Sequence, residues 1–521
     1  TIAPILLCVG VADSIHMISK YDDVRDAGLP KRAAVVEMMR TLGAATLLTS
    51  VTTSIGFATL ASSSVMPMKR FGLYAAAGVL IAYLVTILVL PALLALTGER
   101  RIFNESKSRF YEASSNALGR VSAFNLRAWK PVLWGALGVS LAAVWLAGGL
   151  QVNGRVFDDV SEDTVVMADQ RWFAERLSPV LPIEVIVQTG REEGALEPRL
   201  MQELADLETF MLGYPEVRKV SGLHTLLDQV HRTLESPGGF LETATPSRLA
   251  QYVLLLEIGE AEGLEQMLDF TYGTTRLTAL VEDAGSQRIN EIRAELAAYL
   301  EGRFEGSDVL VTGSTVLSAD LVGKLVRSLV GSVLLAFILI SLIMAALFKD
   351  LKMVLISLVP NILPLMVTAA AMAVAGVDIK PSTAVIFTIA FGIAVDDSIH
   401  YLARLRIERP RFDSLEQAVE FTTRRTGRAI VITSMILLAG FGSLVTSDFV
   451  STTMMGLLVS ATVVTAVVAD LVVLPALLFG LRPSRGSMAE GGAVMQTSEA
   501  GSHGRGFPRG SVPPVPARRA G

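Results

Sequence analysis

Three aspartates stand within long apolar runs of this sequence, where an ionised side chain is expensive to hold. Asp13 lies in the first run, and Asp396 and Asp397 lie together in a later one. His16 and His400 follow Asp13 and Asp397 by three residues, so each Asp–His pair shares one face of a helix. Ionisable groups at bilayer depth are rare and mark ion or proton pathways. The pattern predicts a proton relay of these three aspartates, and for the histidines it leaves packing and proton transfer equally open.

Hydroxyl groups recur on the helix that follows each aspartate. Thr49 and Ser50 follow the first aspartate, and Thr433 and Ser434 follow the pair. We expect these four residues to support the relay by donating hydrogen bonds to the carboxylates. The alternative is that each hydroxyl bonds to its own helix backbone, as serine and threonine often do. For the carboxyl groups, the alternative is a permanently neutral group in a hydrogen bond between helices. Asp470, in the last apolar run, is a further relay candidate.

The composition of the chain places these polar residues in a membrane. Of its 521 residues, 51% are hydrophobic and 18% are charged, and the mean hydropathy is +0.51. A soluble protein of this length usually carries about 25% charged residues. Nine runs are long enough to span a bilayer, namely 1–19, 43–63, 70–97, 131–150, 327–347, 353–375, 382–404, 428–447 and 452–481. The composition therefore predicts a polytopic α-helical membrane protein and argues against a soluble enzyme and a disordered protein.

Lysine and arginine are concentrated in alternate connections between these runs. The basic connections are 20–42, 98–130, 348–352 and 404–428, whereas the others carry few basic residues. Because cytoplasmic loops are enriched in basic residues, this alternation predicts that these four connections are cytoplasmic. Residues 99–130 then form a cytoplasmic linker, for which its interleaved aromatic residues leave two forms open, an interfacial amphipathic helix and a solvated segment.

One connection, 151–325, is long and faces the opposite side of the membrane by the same count. It has a net charge of −16, while the rest of the chain has +11. Alternating apolar patterns predict strands at 182–189, 217–221, 276–281 and 309–312, and helices at 199–212 and 287–299. The middle, 222–270, is predicted to be largely helical. Two strand–helix–strand units indicate a small α+β domain of the ferredoxin-like kind.

The two ends of the chain are copies of each other. A shift of 384 residues places Asp13–His16 on Asp397–His400, Gly72 on Gly456, and the motif LPALL on itself, without a gap. Because both copies have the same predicted orientation, this is a parallel repeat about an axis along the membrane normal. The first copy contributes only its last three spans, so the repeat predicts twelve spans and two outside domains, with three spans and one domain before residue 1.

The repeat divides the chain into six segments. They are the last three spans of the first copy (1–98), the linker (99–130), the first span of the second copy (131–150), the outside domain (151–325), a five-span bundle (326–481) and a cytoplasmic tail (482–521). The tail is rich in glycine, serine, proline and arginine and is predicted to be disordered.

Several kinds of chemistry lack the residues they need. Cys8 is the single cysteine, which excludes a disulfide framework and a multi-cysteine zinc site. The chain contains no phosphate-binding G-x-x-x-x-G-K-[ST] motif and neither the H-E-x-x-H nor the G-x-S-x-G motif. With five histidines, a catalytic metal site is not expected. The sequence predicts no cofactor, no nucleic-acid partner and no enzymatic activity.

The residues around the second aspartate pair resemble a known family. Gly392–His400, the basic loop after it, Thr433-Ser434 and Gly440-Phe441 resemble two central spans of RND-superfamily exporters, and most closely the MMPL-type permeases, whose helices are related to sterol-sensing domains. The resemblance covers roughly 1–481. It implies proton-driven export, or proton antiport, of a hydrophobic or lipid-like substrate, with substrate handled by the outside domain.

The resemblance also assigns places and roles. It implies a bacterial inner membrane, a periplasmic outside domain that acts as a porter domain, and proton transfer by Asp13, Asp396 and Asp397. Ala12 stands in the first copy where Asp396 stands in the second, so the expected relay is asymmetric. The implied partners are the lipid bilayer, protons and the substrate, and a homo-oligomer remains open.

Other functions are compatible with the same helices. A lipid sensor or scaffold would use the bundle and the outside domain without titrating aspartates. A protein-export auxiliary of the SecD/SecF kind shares the helix architecture, but such chains have six spans. An intramembrane aspartyl protease needs a G-x-G-D motif, whereas the sequence before Asp396 reads Ile393-Ala394-Val395. We therefore expect a secondary transporter.

Overall fold

The computed structural model describes residues 2–96, 109–234 and 239–482. The bundle begins with α1 (Ile2–Asp26), α2 (Lys31–Ala58), α3 (Met66–Leu96) and α4 (Arg109–Ala147). Within the described ranges nine helical segments are long and apolar enough to cross a membrane, and each overlaps one of the nine predicted runs. The prediction of nine candidate spans is confirmed. These runs are helical because an apolar segment of this length can satisfy its own backbone hydrogen bonds in lipid only as a helix.

Helix α4 extends well beyond the predicted span, through most of the segment predicted as a linker. The helix begins at Arg109, and Leu118, Ser122 and Asn125 are buried against other helices of the bundle. A kink at Ala128, where φ is −117° and ψ is 18°, precedes Pro131, whose ring cannot continue the hydrogen-bond ladder. This part of the chain is helical, as one of the two alternatives proposed, but it packs on protein. Residues 97–108 lie outside the described ranges.

An α+β domain follows α4. Its elements are α5 (Val165–Arg176), β1 (Leu181–Gln188), α6 (Pro198–Leu212), β2 (Val217–Ser221), α7 (Leu223–Leu234), α8 (Phe240–Thr243), α9 (Pro246–Ile258), α10 (Leu264–Met267), β3 (Thr274–Val281), α11 (Ser286–Leu300) and β4 (Asp308–Thr312). The four strands form one antiparallel sheet in the order β2-β3-β1-β4. With α6 after β1 and α11 after β3, this is the expected ferredoxin-like topology.

The predicted alternation of apolar residues produces the core of this domain. Every second residue of β1 is buried, including Ile183, Val185 and Val187, and these side chains pack with Leu204 of α6 and Leu296 of α11. The segment between β2 and β3 is helical over α7 to α10, as predicted for the middle of the domain. The amphipathic helices therefore cover one face of the sheet, which is the arrangement that period-two and period-3.6 patterns require.

The second copy of the repeat completes the bundle. Its helices are α12 (Ser314–Phe348), α13 (Leu351–Ala375), α14 (Pro381–Glu408), α15 (Leu415–Gly442), α16 (Val450–Val468) and α17 (Leu474–Leu481), and a π-helical turn at Ala469–Val473 joins the last two. Of the predicted disordered tail, only Arg482 lies within the described residues.

The repeat seen in the sequence recurs in the packing of the backbone. A Cβ added at Gly72 would lie 2.6 Å from the Phe57 carbonyl oxygen, and one added at Gly456 would lie 2.7 Å from the Phe441 carbonyl oxygen. These contacts are equivalent under the 384-residue shift. In the first copy α3 approaches α2, and in the second copy α16 approaches α15, at a distance that only glycine permits.

Candidate functional site

The three predicted aspartates meet where α1 and α14, the equivalent helices of the two copies, come together. Asp13 is 4% exposed and Asp397 is 8% exposed, and Asp396 is half-buried. Among the residues that the structure describes, no lysine or arginine lies within ion-pair distance of any of the three. Carboxylates buried without a basic partner are costly unless they are protonated or hydrogen-bonded. Their hydrogen-bond partners therefore decide what this cluster can do.

The two predicted histidines stack on each other across the repeat. The rings of His16 and His400 are 4.1 Å apart between centroids, with an angle of 14° between their planes. The Nε2 atom of His16 lies 3.7 Å from Oδ1 of Asp397, which is beyond hydrogen-bond distance but close enough for an electrostatic contact. Neither ring nitrogen of His400 has a hydrogen-bond partner in the described part of the chain. Stacking is thus the main contact that the histidines make, and it joins the two copies.

Two hydroxyl groups of α2 donate hydrogen bonds to the carboxylates. Ser50 Oγ donates to Asp13 Oδ2 at 3.2 Å, as predicted. Thr53 Oγ1 lies 2.8 Å from Asp396 Oδ1 and 3.2 Å from the carbonyl oxygen of Gly392, and its single proton serves one acceptor at a time. Thr53 was not among the predicted residues. It lies three residues after Ser50, on the same helix face, and that spacing is the signal that would have found it.

The other three predicted hydroxyl groups do not contact a carboxylate. Thr49 Oγ1 donates to the Thr46 carbonyl oxygen at 3.0 Å, and Thr433 Oγ1 donates to the Ile430 carbonyl oxygen at 2.9 Å. Ser434 is buried, and its hydroxyl has no hydrogen-bond partner within the described ranges. The alternative of bonding to the own helix backbone therefore holds for both threonines. The structure does not place these three residues as direct support for a relay.

The two copies bring different numbers of carboxylates to similar helix contacts. The contact between α14 and α2 carries Asp396 and Thr53, whose equivalents in the first copy and second copy are Ala12 and Leu437. At the equivalent contact between α1 and α15, a Cβ added at Gly440 would meet the sulfur of Cys8 at 2.6 Å. At this helix contact the asymmetry expected from the sequence is the replacement of an apolar pair by a carboxylate and a hydroxyl.

A cluster of ion pairs closes the end of the bundle that lies away from the α+β domain. Asp23 of α1 pairs with Arg425 at 2.5 Å and with Arg404 at 3.8 Å, and Arg404 pairs with Glu408 at 3.0 Å. Arg404 is 9% exposed and Glu408 is 2% exposed at the side chain. Buried pairs of this kind fix which helices meet rather than add much stability. They hold α1, α14 and α15 together about 10 Å below Asp397, at a rise of 1.5 Å per residue.

The segment 151–160, which we call the strap, joins the α+β domain to the opposite end of the same helices. On the domain side, Gly154 and Ser286 exchange two hydrogen bonds: the Ser286 N–H donates to the Gly154 carbonyl at 2.9 Å, and the Gly154 N–H donates to Ser286 Oγ at 3.1 Å. The Phe157 N–H donates to Asp283 Oδ2 at 3.1 Å. The strap is therefore fastened to the start of α11.

On the membrane side, the strap holds the beginnings of α14 and α16. The Ile379 N–H donates to the Gln151 carbonyl at 2.8 Å. Lys380, which precedes α14, lies 3.7 Å from Asp158 and 3.5 Å from Asp159. The Asp159 carboxylate also accepts a hydrogen bond from the Ser451 hydroxyl, and the Asp159 backbone carbonyl oxygen accepts from the Val450 N–H at the start of α16. One short segment thus contacts both the helix that carries Asp396 and Asp397 and the helix that leads to Asp470.

The repeat, the nine candidate spans and the buried carboxylates define an RND-type permease. The chain belongs to the MMPL family of membrane transporters, whose model matches residues 2–134 and 275–504. No group of three or more His, Cys, Asp or Glu side chains within the described ranges is placed to hold a metal ion.

Two curated relatives and one solved structure extend this result. A membrane protein of Methanocaldococcus jannaschii, MJ1562, is 31% identical over 101 residues, which is 19% of this chain and 26% of the relative. A membrane protein of Streptomyces coelicolor, SCO6666, is 35% identical over 92 residues, or 18% of this chain and 13% of the relative. The alignments therefore span about a quarter or less of these relatives.

The solved structure supports the fold. SecDF in its super-membrane-facing form is similar with a TM-score of 0.51 at 15% identity, covering 96% of this chain and 56% of SecDF. At this identity the likeness concerns the fold alone. The chain is thus a multi-pass membrane protein whose helices and α+β domain follow one shared architecture.

Proposed function

We propose that the protein is a secondary transporter that couples outward movement of a hydrophobic or lipid-like molecule to inward movement of protons. The observation that carries the proposal is the cluster of Asp13, Asp396 and Asp397, contributed by both copies and buried without a basic partner in the described residues. Intramembrane carboxylates in such positions mark proton pathways in pumps and transporters. The MMPL family, whose members are transporters, sets the class of activity.

The hydrogen bonds suggest how protonation changes the bundle. An ionised Asp396 accepts the Thr53 proton, which draws α2 and α14 together at 2.8 Å. When Asp396 takes up a proton, Thr53 is free to donate instead to the carbonyl oxygen of Gly392, which lies on α14 one turn before Asp396 and 3.2 Å from Thr53 Oγ1. In the first copy, an ionised Asp13 likewise accepts the hydrogen bond of Ser50, which lies on α2. A transition driven by such a switch needs two arrangements of the helices with different affinity for protons.

The strap supplies a physical route from these helices to the α+β domain. A shift of α14 along its axis moves Lys380, which holds Asp158 and Asp159 in the strap. The strap in turn is bonded to Ser286 at the start of α11. Because hydrogen bonds and ion pairs at both ends tie the strap to rigid elements, movement of α14 displaces the domain rather than being absorbed in a loop.

We further propose that the protein lies in a bacterial inner membrane with the α+β domain in the periplasm. The basic residues Arg404 and Arg425 lie in the ion-pair cluster at the end of the bundle away from the domain. Basic residues at helix ends favour the cytoplasmic side. Proton flow from the domain side to this end then follows the usual direction of the proton motive force.

The test compares Asp397→Asn with Asp448→Asn in everted membrane vesicles that contain the protein. Asp448 is an exposed aspartate in the turn between α15 and α16, so its substitution is a matched control. Proton flux is followed with a pH-sensitive dye, and accumulation of N-phenyl-1-naphthylamine serves as the hydrophobic probe. We expect Asp397→Asn to abolish gradient-driven accumulation, because an amide cannot exchange a proton, and Asp448→Asn to retain it.

Undiminished gradient-driven accumulation by Asp397→Asn would contradict the proposed relay. Binding of the probe without dependence on a gradient, unchanged in both variants, would instead favour a lipid sensor or scaffold that uses the same helices.

A further inference from the structure

Asp470 is a fully buried carboxyl group of the bundle, and the relay described above does not use it. The residue is 1% exposed, and its Oδ1 atom accepts a hydrogen bond of 2.5 Å from Ser398 Oγ. Its Oδ2 atom has no hydrogen-bond partner in the described part of the chain. Ser398 follows Asp397 directly in α14. The pair therefore lies beside the relay, on a face of α14 different from the one that carries Asp396.

The backbone around Asp470 departs from a regular helix. Residues Ala469–Val473 form a π-helical turn between α16 and α17, and Asn125 Nδ2 of α4 donates to the Leu471 carbonyl oxygen at 2.7 Å. A π-turn leaves backbone carbonyls without their usual partners, and such turns occur frequently at functional sites. The part of α4 that was predicted to be a linker is thus the element that satisfies this turn.

The first copy lacks this arrangement, although its backbone is equivalent. Thr86 stands in place of Asp470, within an uninterrupted helix α3, and Ser14 stands in place of Ser398. Ser14 donates to the carbonyl oxygen of Gly10 in its own helix. A serine beside the central aspartate is therefore common to both copies, but only the second copy gives that serine a buried carboxylate to bond.

The Ser398 proton has a second acceptor. Asn361 Oδ1 of α13 lies 3.3 Å from Ser398 Oγ, and Asn361 Nδ2 is held by the Ser357 carbonyl oxygen at 2.6 Å, which fixes the oxygen toward the serine. The serine carries one proton, so a bond to Asp470 and a bond to Asn361 exclude each other. Ser398 can therefore report the state of Asp470 to α13.

We propose that Asp470 and Ser398 form a second proton-binding site, in which uptake of one proton by Asp470 turns the Ser398 hydroxyl from Asp470 to Asn361. This inference rests on the proposed proton-coupled function and adds a site to it. The added proton occupies Asp470, whose Oδ2 is unpartnered, and no other bond forms or breaks apart from the exchange of hydrogen bonds.

The surroundings contain few other charged groups. Asp397 and Tyr401 are the titratable residues of α14 near Asp470, and the Tyr401 hydroxyl is bonded to Thr423 of α15 at 2.8 Å. Asn361 of α13 and Asn125 of α4 are polar and neutral. On α15, buried Arg428 follows Gly427, where an added Cβ would lie 3.0 Å from Leu471. The neighbouring acid that can exchange a proton with this site is therefore Asp397.

Infrared difference spectroscopy of the whole chain, reconstituted in lipid and titrated across pH, tests the site. A protonated carboxyl group absorbs apart from an ionised one, so each titrating aspartate contributes its own band. We expect Asp470→Thr, which installs the residue of the first copy, to remove one titrating carboxyl band. Asp470→Asn keeps the shape of the side chain and should remove the same band, which separates loss of the acid from loss of folding.

Ser398→Ala provides the second readout. Without the hydroxyl donor, we expect the Asp470 band to remain but to shift in frequency and to titrate at a different pH. Spectra that are identical in the original protein and Asp470→Asn, at every pH, would overturn the inference. Asp397→Asn removes a different band, so the two proposals can fail separately. If Asp397→Asn abolishes transport but the spectra contain no Asp470 band, only the second proton-binding site is contradicted. An Asp470 band without gradient-driven transport defeats the proposed function instead.

Discussion

The two copies of the repeat agree in their backbone contacts and differ in their buried polar groups. Gly72 and Gly456 meet equivalent carbonyl oxygens, and Gly56 and Gly440 lie at equivalent contacts between the two copies. In contrast, the first copy contributes Asp13, bonded by Ser50, to the centre of the bundle, whereas the second contributes Asp396, Asp397 and Asp470. Helix packing has been kept where the chemistry has diverged.

Under the proposed function, this difference assigns most of the proton exchange to the second copy. A shared backbone frame holds α1 and α14 in equivalent places, and stacking of His16 on His400 joins them. The close helix contacts at Gly72 and Gly456 are made by small residues, and the polar side chains add hydrogen bonds that differ between the copies. The first copy then serves mainly to position its partner and to contribute Asp13.

The largest expected effect comes from the contacts that both copies share. In Gly72→Ala and in Gly456→Ala the new methyl group would lie 2.6 Å and 2.7 Å from a backbone oxygen, so the helices must move apart. We expect each change to lower the free energy of unfolding by about 1–3 kcal/mol. Thermal unfolding in detergent measures it, with Gly442→Ala, where an added Cβ meets nothing within 4 Å, as the control. Equal effects would show that the copies carry equal packing constraints, and no effect in either would contradict the shared frame.

Sequence patterns predicted the frame better than the hydrogen bonds. Long apolar runs specify spans, and the 384-residue repeat specifies which helices are equivalent, so the fold followed from both. The partners of the carboxylates did not follow, because neighbouring residues on a helix point about 100° apart. Ser50 therefore reaches Asp13 while Thr49 bonds to its own helix.

The beginning of α4 shows a second limit of sequence patterns. The helix carries buried Ser122 and Asn125 among basic residues, which makes it read as a polar linker rather than as a bundle helix. Hydropathy alone cannot distinguish a helix face that packs on protein from one that faces water. Only the bond from Asn125 to the π-turn explains why a polar residue is buried there.

A smaller effect is expected where the copies differ by one hydroxyl group. Thr53 has Leu437 as its equivalent in the second copy. Thr53→Val keeps the shape of the threonine side chain but removes the hydrogen-bond donor to Asp396. Loss of a hydrogen bond to a buried carboxylate costs about 1–3 kcal/mol. We expect gradient-driven transport to fall by about tenfold, since ~1.4 kcal/mol corresponds to that factor in rate.

The matched control for Thr53→Val is Leu437→Thr, which places a hydroxyl group at the equivalent position without a carboxylate facing it. We expect this variant to transport as the original protein does. Equal loss in both variants would mean that side-chain polarity at this position has no special role, and the comparison between the copies would fail.

The smallest expected effect concerns the turns that precede α3 and α16. The two turns have the same internal bond, from the Val65 N–H to Ser63 Oγ at 3.3 Å and from the Phe449 N–H to Ser447 Oγ at 3.2 Å. Only the second is also bonded by the strap, through the Asp159 backbone carbonyl and through the Asp159 carboxylate, which accepts from Ser451. In Asp159→Ala we expect faster hydrogen exchange at 449–452 and no change at 65–68, with a stability loss below about 1 kcal/mol, because an exposed carboxylate contributes little. Faster exchange at both turns, or at neither, would show that the strap does not distinguish the copies, and that the α+β domain is coupled to the bundle elsewhere.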